Sequence, residues 1–379
     1  MHILAVGDLI LDEPGPMERY FEGCKATLRN ADVLIGHVET PHTDRAIPSS
    51  LDIQAPPSRP ENLDVLQKMG FDIATLAGNH ICDCGPYGVT DTYDRLKELG
   101  IIPQGAGADL ATAKQPAIVE REGMRIGLIS YNCVGPRESW ATSVKAGCAY
   151  LRVLTHYEQS QATPGGTYPP KMYTFVDPES LLQLRQDVGK LKKNCDIAIV
   201  ALHKGAIGAM GSLEMYERSL AWAAVDAGAD IVLAHHAHMC RGMEIYKGKP
   251  IYHGLGNFVC VTYALTPGYH ETEEKKRWTE IRRKAGTLRK NIPPYQPWAQ
   301  EARNIMIARI EFADGRIGRF GFVPAYTDET GAISVRTREN GQEVMEYFKT
   351  ITDRAGLGVR YAWSEDGSWI TAQEEEQEL

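Results

Sequence analysis

The stretch "DIVLAHHAHM", residues 230–239, joins an apolar run to three histidines within four positions. The apolar run predicts a buried β-strand, and the histidines stand at its carboxyl end. In an H-x-H pair on an extended segment, both side chains project from the same face. We therefore expect His236 and His238 to converge on one cluster as metal ligands, while His235 points away.

Four other predicted strands end in a similar way. Each apolar run is followed by residues that can bind a metal: Asp8 after ILAVG, Glu39 after VLIGHV, Asn79 and His80 after IATLAG, and His203 after AIVAL. Any one of these residues alone is more often a turn residue, a helix cap or a satisfied core histidine. Burying the whole set unpaired would cost about 1–3 kcal/mol for each neutral group and more for each charge, and a shared metal site removes that cost.

The chemistry of these side chains indicates which ions would fit. Carboxylate oxygens combined with imidazole nitrogens suit divalent Mn, Zn, Fe or Co, whereas an all-oxygen set would favour Mg or Ca. The number of candidate ligands is compatible with one or two ions.

Strand-like and helix-like segments alternate along most of the chain, which predicts an α/β (α+β) fold. Ligands in such folds gather beyond the carboxyl ends of the strands, where the candidate residues lie. The spacing of apolar residues predicts a helix at 17–31 and hairpins at 242–258 and 304–326, the second with an Asp-Gly turn.

Three regions are expected along the chain. Residues 1–265 form a core, with an insertion or lid at about 134–177 that is rich in Gly, Pro, Tyr and Ser. Residues 266–330 hold a charged helix near 271–289, a Pro-rich link and a hairpin that returns to the core. Residues 331–379 hold a C-terminal helix and an acidic tail whose composition predicts disorder.

Composition limits the partners and the location. The chain has 379 residues and a net charge of -8, and its 41 Lys and Arg are scattered, so no nucleic-acid partner is expected. The apolar N-terminal segment is too short for a membrane span and lacks the features of a signal peptide, so we expect a cytoplasmic protein without membrane contact. The eight cysteines are expected to be reduced, and a zinc site at Cys82 and Cys84 is disfavoured because no partner pair exists. The sequence does not indicate the oligomeric state.

A set of ordered motifs carries a family resemblance. It consists of GD at 7–8, VETP at 38–41, GNH at 78–80, HKG at 203–205, HHAH at 235–238 and IYHGLGNF at 251–258. Together these motifs resemble the CapA family, named for capsule poly-γ-glutamate synthesis proteins, which is similar to the calcineurin-like metallophosphoesterases. The resemblance covers roughly residues 1–265. It implies a four-layer α-β-β-α sandwich with a metal centre at one edge of the paired sheets.

The resemblance also implies roles for individual residues. Asp8 and His238 would hold one metal, Asn79, His203 and His236 the other, Glu39 would bridge the two, and His80 would be an acid that is not a ligand. Three positions depart from the family patterns. The phosphoesterase pattern has a histidine where this chain has Ile10, which leaves the first site short of a ligand. His37 stands where many CapA-like chains have Asn, and Lys204 where they often have an aromatic residue; both are expected to be titratable groups beside the metal.

Three functions are compatible with such a site. The first is hydrolysis of a phosphoester or related bond through a metal-activated water, with His80 protonating the leaving group. The second is epimerisation or racemisation at the Cα of a peptide or amino-acid derivative, with His80, His37 and Lys204 as acid and base groups, since CapA-like members have been linked to peptide epimerisation. The third is a polyglutamate-related binding or accessory role. The substrate expected for either enzyme is a small molecule or a peptide.

Overall fold

The computed structural model describes residues 1–47, 55, 57–159, 170–208, 211–262 and 300–375, with four isolated positions between 273 and 284. Apart from those four positions, the predicted charged helix and the Pro-rich link lie outside the described residues, as does the centre of the predicted lid at 160–169. Among the described helices, none combines the length and the apolar composition needed to cross a membrane.

Two stacked β-sheets form the centre of the molecule. In the described part of the chain, the larger sheet has ten strands: β1 (His2–Asp12), β2 (Val33–Val38), β3 (Ile73–Thr75), β4 (Ile102–Gln104), β15 (Asn257–Thr262), β16 (Asn304–Ala313), β17 (Arg316–Thr327), β18 (Ile333–Val335), β19 (Val359–Trp363) and β20 (Ile370–Glu374). The smaller sheet has six: β6 (Ala117–Arg121), β7 (Met124–Asn132), β11 (Ile197–His203), β12 (Ile231–His235), β13 (Cys240–Tyr246) and β14 (Lys249–Leu255). Two short ladders complete the strands: β5 (Ala106–Gly107) with β8 (Gly147–Cys148), and β9 (Val153–Glu158) with β10 (Lys171–Val176).

Helices cover the outer face of each sheet. The α-helices among the described residues are α1 (Lys25–Arg29), α2 (Asp64–Met69), α3 (Gly85–Glu98), α4 (Leu110–Ala113), α5 (Pro178–Lys192), α6 (Met215–Asp226) and α7 (Gln342–Arg354). Short 3-10 turns occupy Met17–Tyr20, Pro60–Leu63, Arg137–Ser139 and Gln300–Arg303.

Three apolar clusters separate these layers. The cluster between the sheets includes Ile35 of β2, Ile199 of β11 and Phe348 of α7. Outside the larger sheet, the cluster includes residues of α1, α2 and α3, and outside the smaller sheet it includes residues of α5 and α6. Each sheet is therefore apolar on both faces, as buried sheets require. The four-layer α-β-β-α sandwich implied by the resemblance is confirmed.

The strands that carry the candidate ligands run parallel within each sheet. In the larger sheet, β1, β2, β3 and β4 are parallel neighbours, and in the smaller sheet β11 lies between β7 and β12, parallel to both. The carboxyl ends of both sets of strands meet at one edge of the sandwich, where His203 at the end of β11 contacts Asn79 after β3.

Two segments differ from the sequence-based expectation. The predicted helix at 17–31 is broken into a 3-10 turn and α1, because Gly23 between them forms a bridge with Ser334. The approach is so close that a Cβ atom on Gly23 would lie 2.4 Å from the carbonyl oxygen of Ile333. Residues 372–374 of the predicted acidic tail belong to β20, because that strand pairs with β19, which satisfies its backbone groups. Both predicted hairpins are confirmed as β13–β14 and β16–β17.

Candidate metal centre

A β-bulge turns Asp8 into the space between the sheets. The outward-facing residues of β1 change from even to odd positions across the bulge: Leu4 and Val6 before it, Leu9 and Leu11 after it. The register with β2 shifts between Ala5 and Asp8, which accommodates one extra residue. Gly7 permits this close packing, because a Cβ atom on it would lie 1.9 Å from the carbonyl oxygen of Gly256.

The loop after β12 presents its histidines in an unexpected conformation. The strand ends at His235, and both His236 (φ 88°) and His238 (φ 54°) adopt left-handed backbone conformations. The expected extended H-x-H geometry is therefore wrong, although His236 and His238 do meet in one cluster. His235 remains on the strand, and its ring stacks on that of His37 with centroids 4.7 Å apart.

One half of the cluster is built around His203. Its Nε2 atom lies 2.7 Å from Asn79 Oδ1 and 3.1 Å from His236 Nδ1. Burial and the neighbouring imidazoles hold the pKa of His203 well below its usual value, and burial lowers the pKa of His236 to about 3. Both imidazoles are thus neutral at physiological pH, the form that binds metals.

The other half is built around His238. Its Nε2 lies 3.3 Å from Glu39 Oε1, and its Nδ1 lies 3.5 Å from Asp8 Oδ2 and 2.8 Å from Asn257 Oδ1. Burial opposes protonation, but the charge of Glu39 raises the pKa of His238 to about 9. Burial likewise opposes ionisation of Glu39, but the charge of His238 brings the pKa of that carboxyl down to about 2. Burial and the charge of Glu39 raise the pKa of Asp8 well above its usual value. The two carboxyl groups thus surround a position that favours positive charge.

This donor set fits a divalent cation. Potential ligand atoms lie within 4.8 Å of one another in three overlapping groups: Asp8, Glu39 and His238; Glu39, His203 and His236; and Asp8, His37 and His203. Two carboxylate oxygens, Asp8 Oδ1 and Glu39 Oε2, are buried without a hydrogen-bond partner among the described residues. A cation between them would offset the cost of burying such oxygens. The first two groups correspond to the two sets that the resemblance implies, with Glu39 common to both.

His37 belongs to the third group, whereas the sequence assigned it to acid–base chemistry. It is fully buried on β2, and its Nδ1 lies 3.0 Å from Thr75 Oγ1. Burial and the charge of His235 hold its pKa well below the usual value. Its position two residues before Glu39 is visible in the sequence, but that spacing alone does not distinguish a metal ligand from an acid–base group.

His80 lies at the rim of the cluster with a charged partner. Its side chain is 20% exposed, and its Nδ1 lies 2.7 Å from Asp83 Oδ2. Burial opposes protonation, but the hydrogen bond and the charge of Asp83, followed by the charge of Glu39, raise the pKa of His80. Asp83 was not recognised from the sequence, although its spacing of three residues from His80 was visible.

Lys204 is not brought into the cluster. His203, the last residue of β11, and Lys204, which follows the strand, face opposite sides: His203 faces the other sheet, whereas Lys204 faces α6. The Lys204 ammonium is completely buried, 2.7 Å from Glu217 Oε2 and 3.4 Å from His253 Nδ1. The expected position of Lys204 beside the metal therefore does not match its contacts, which are those of a buried ion pair.

Two arginines, Arg241 and Arg137, and the cysteines Cys82 and Cys84 belong to none of the three groups. Arg241 is buried and donates to the carbonyl oxygens of Ala206 and Ser212, so its charge is used within the fold. Cys82 and Cys84 donate to backbone carbonyl groups, and all eight cysteines are free thiols, in agreement with the expectation of reduced residues. Arg137 is exposed on the loop after β7, with its guanidinium 5.7 Å from the centre of the Trp140 ring.

Sequence comparisons relate the chain to capsule proteins. Residues 2–262 match the family model described as bacterial capsule synthesis protein PGA_cap. The chain is 32% identical over 208 residues to a "probable polyglutamine synthesis accessory protein" of Mycobacterium tuberculosis, which covers 53% of this chain and 48% of that protein. It is 26% identical over 298 residues to the PGA biosynthesis protein CapA of Bacillus subtilis, which covers 76% of this chain and 70% of that protein. The chain thus spans about half the length of the mycobacterial relative.

Solved structures with a similar arrangement are remote in sequence. A hypothetical protein from Thermus thermophilus superposes with a TM-score of 0.45 at 15% identity, over 89% of this chain and 100% of that chain. A calcineurin-like phosphoesterase from Bacillus subtilis superposes with a TM-score of 0.36 at 13% identity, over 93% of this chain and 96% of that chain.

Proposed function

We propose that this chain, which belongs to the PGA_cap family of bacterial capsule synthesis proteins, is a metal-dependent hydrolase of a phosphoester or related bond. The observation that carries this proposal is the buried cluster at the strand ends, in which Asp8 Oδ1 and Glu39 Oε2 lack hydrogen-bond partners among the described residues. Two buried carboxyl groups surrounded by imidazoles, with an acid at the rim, are the parts that metal-assisted hydrolysis requires.

The residues of the site have two kinds of role, metal binding and proton transfer. Asp8, Glu39, Asn79 and the histidines of the cluster would hold one or two ions of Mn, Zn, Fe or Co, with His238 losing its proton on metal binding. A bound divalent ion would lower the pKa of water and polarise the scissile bond. His80 donates a proton from Nε2 to the leaving oxygen, while Asp83 fixes the ring through Nδ1. Arg137, an exposed cation shortly after the carboxyl end of β7, would attract an anionic substrate.

Epimerisation receives less support from the contacts. That reaction needs two acid or base groups on opposite sides of one carbon atom. Of the three groups considered, Lys204 pairs with Glu217 and His37 is fully buried. Only His80 among them is partly exposed, which favours a reaction with a single proton donor.

The names of the relatives favour a second candidate function. One is called a polyglutamine synthesis accessory protein and another a PGA biosynthesis protein. An accessory role would use the same edge of the sandwich to bind a polymer without cleaving it. The cytoplasmic location and the lack of a nucleic-acid partner stay predictions.

Metal content and turnover, measured together, test the proposal. The purified protein is stripped with chelator, reloaded with Mn²⁺ or Zn²⁺, and assayed with p-nitrophenyl phosphate and bis-p-nitrophenyl phosphate. We expect His236→Ala to lose metal and phosphate-ester cleavage together, His80→Ala to keep metal and lose cleavage, and the exposed His156→Ala to behave as wild type. Metal binding without cleavage of any ester would favour the accessory role. Full activity of His80→Ala would remove His80 from the mechanism.

A further inference from the structure

We infer that His37 is a metal ligand of this cluster and supplies the imidazole that Ile10 cannot. The inference rests on the proposed metal site and concerns which side chains complete it. It assigns His37 to the ion bound by Asp8, through Nε2.

The hydrogen bonds of His37 prepare Nε2 for this role. The Thr75 hydroxyl donates to the carbonyl oxygen of Gly36 at 3.4 Å and lies 3.0 Å from His37 Nδ1. Since that hydroxyl hydrogen is directed at Gly36, the oxygen accepts from Nδ1–H, and the lone pair of the neutral ring is left on Nε2. Histidine ligands are commonly fixed in this way, with the second nitrogen held by a hydrogen bond. His37 Nε2 itself is buried and has no hydrogen-bond partner among the described residues.

The surroundings of Nε2 leave room and supply further ligands. A Cβ atom on Gly78 would lie 3.1 Å from His37 Nε2 and 3.5 Å from His203 Cε1, so the glycine keeps the space between the two rings open. Asp8, His37 and His203 each offer a ligand atom within 4.8 Å of the others. Two nitrogen or oxygen ligands of one ion, each at about 2.1 Å, are at most about 4.2 Å apart, so only a small adjustment is required.

The alternative explanation is that His37 is a purely structural buried histidine. His42 provides an example of such a residue. His42 is also fully buried, its Nδ1 lies 3.0 Å from Thr40 O, and its Nε2 also has no partner among the described residues. An unpaired buried nitrogen therefore does not by itself indicate a ligand. The difference lies in the neighbours, because His42 belongs to none of the three ligand groups found in the described part of the chain.

Ile10 occupies a position from which a histidine could reach the same space. Leu9 and Leu11 pack on the outer helices, so Ile10 between them faces inward, on the same side as Asp8. It is 7% exposed and does not belong to the inter-sheet apolar cluster. Compared with the phosphoesterase pattern, this chain thus lacks an imidazole at position 10 and has one at position 37. The number of imidazole nitrogens available to the site is therefore the same.

Metal titration of matched variants tests the assignment without recourse to activity. The stripped protein is titrated with Co²⁺ by calorimetry, with the visible absorption of Co²⁺ recorded and the bound metal counted by elemental analysis. His37→Asn keeps a donor that can bond Thr75 but removes Nε2, and His42→Asn is the control, with the same change at an equally buried site. We expect His37→Asn to raise the dissociation constant of an ion at least about ten-fold or to lose that ion, with an altered Co²⁺ spectrum. We expect His42→Asn to match wild type.

A double variant separates loss of a ligand from loss of structure. Ile10→His combined with His37→Asn is expected to regain wild-type stoichiometry, because the imidazole returns from β1. Binding by His37→Asn equal to that of wild type would overturn the inference and leave the proposed metal site intact. Weak binding that Ile10→His does not restore would overturn the claim that His37 replaces that residue. Absence of Co²⁺ binding by wild type would refute the proposed function itself.

Discussion

Replacing Lys204 with methionine is expected to destabilise the fold by about 3–5 kcal/mol while leaving the metal site in place. The side chains of Lys204 and Glu217 are 0% and 1% exposed, and the ammonium lies 2.7 Å from the carboxylate. Methionine has a similar volume and creates no large cavity, so most of the loss comes from a buried carboxylate left without its partner. His253 also loses a contact, because the ammonium donates to its carbonyl oxygen at 3.3 Å.

The double variant Lys204→Met with Glu217→Gln shows how much of this loss is electrostatic. Glutamine keeps the oxygen that accepts from the Glu214 backbone N–H at 2.7 Å, which caps α6, but carries no charge. We expect the two substitutions together to cost less than their sum, with a coupling energy of about 1–3 kcal/mol.

Urea unfolding with metal present measures the free energies, and ester cleavage is normalised to the folded fraction. A structural role for Lys204 predicts that the folded Lys204→Met protein retains near wild-type kcat. Unchanged stability combined with lost turnover would refute the reasoning and return Lys204 to the acid–base chemistry expected from the sequence.

Three further predictions concern the bulge, the rim and a remote carboxylate. Gly7→Ala should cost about 1–3 kcal/mol or more in urea unfolding and reduce metal content, since its Cβ would lie 1.9 Å from Gly256 O. The control Gly318→Ala, whose Cβ would make only ordinary contacts, should do neither. Asp83→Asn should lower turnover at least about ten-fold with unchanged metal content by elemental analysis, because it removes the charge that orients His80; equal turnover would contradict this role. Asp230→Asn should cost about 1–3 kcal/mol at pH 7, because the Ala198 N–H, Lys192 and Lys249 hold the pKa of Asp230 below its usual value despite burial. Stability from a lowered carboxyl pKa is present above the unfolded-state value of about 3.9 and is lost as the pH falls through the folded-state value, so wild type should lose this increment in acid and the variant should not.

The sequence was informative where side chains follow buried strands. Asp8, Glu39, His203 and the histidines after β12 could be located because apolar runs end abruptly in polar groups, and parallel strands bring such ends to one edge. The α/β alternation and both hairpins followed from periodicity and turn residues in the same way. These features depend on local pattern, which a single sequence contains.

The errors arose where contacts distant in the sequence decide the outcome. The break at Gly23 depends on Ser334, and the ordered end of β20 depends on β19. Lys204 was assigned by its neighbour His203, whereas the alternation of β11 directs it to Glu217 in the helix layer. The ligand role inferred for His37 could not be read from spacing either, because Asp8 is its partner on the neighbouring strand β1 and His203 approaches it only when both sheets are assembled.

The backbone of the histidine loop supports a functional origin for this geometry. Among the described residues, five that are not glycine have positive φ: Glu122, His236, His238, Lys247 and Asp314. Glu122, Lys247 and Asp314 each precede a glycine in a two-residue turn between antiparallel strands, where positive φ is required. His236 and His238 have no such reason, and each unusual conformation costs about 1–3 kcal/mol. The contacts that hold them are the His236 N–H to Asp8 Oδ2 at 3.2 Å and His238 Nδ1 to Asn257 Oδ1 at 2.8 Å, and Asp8 and Asn257 pair across β1 and β15. The bulge, the loop and β15 therefore act together to direct imidazoles at carboxylates, an arrangement that packing alone does not require and that supports the proposed cation site.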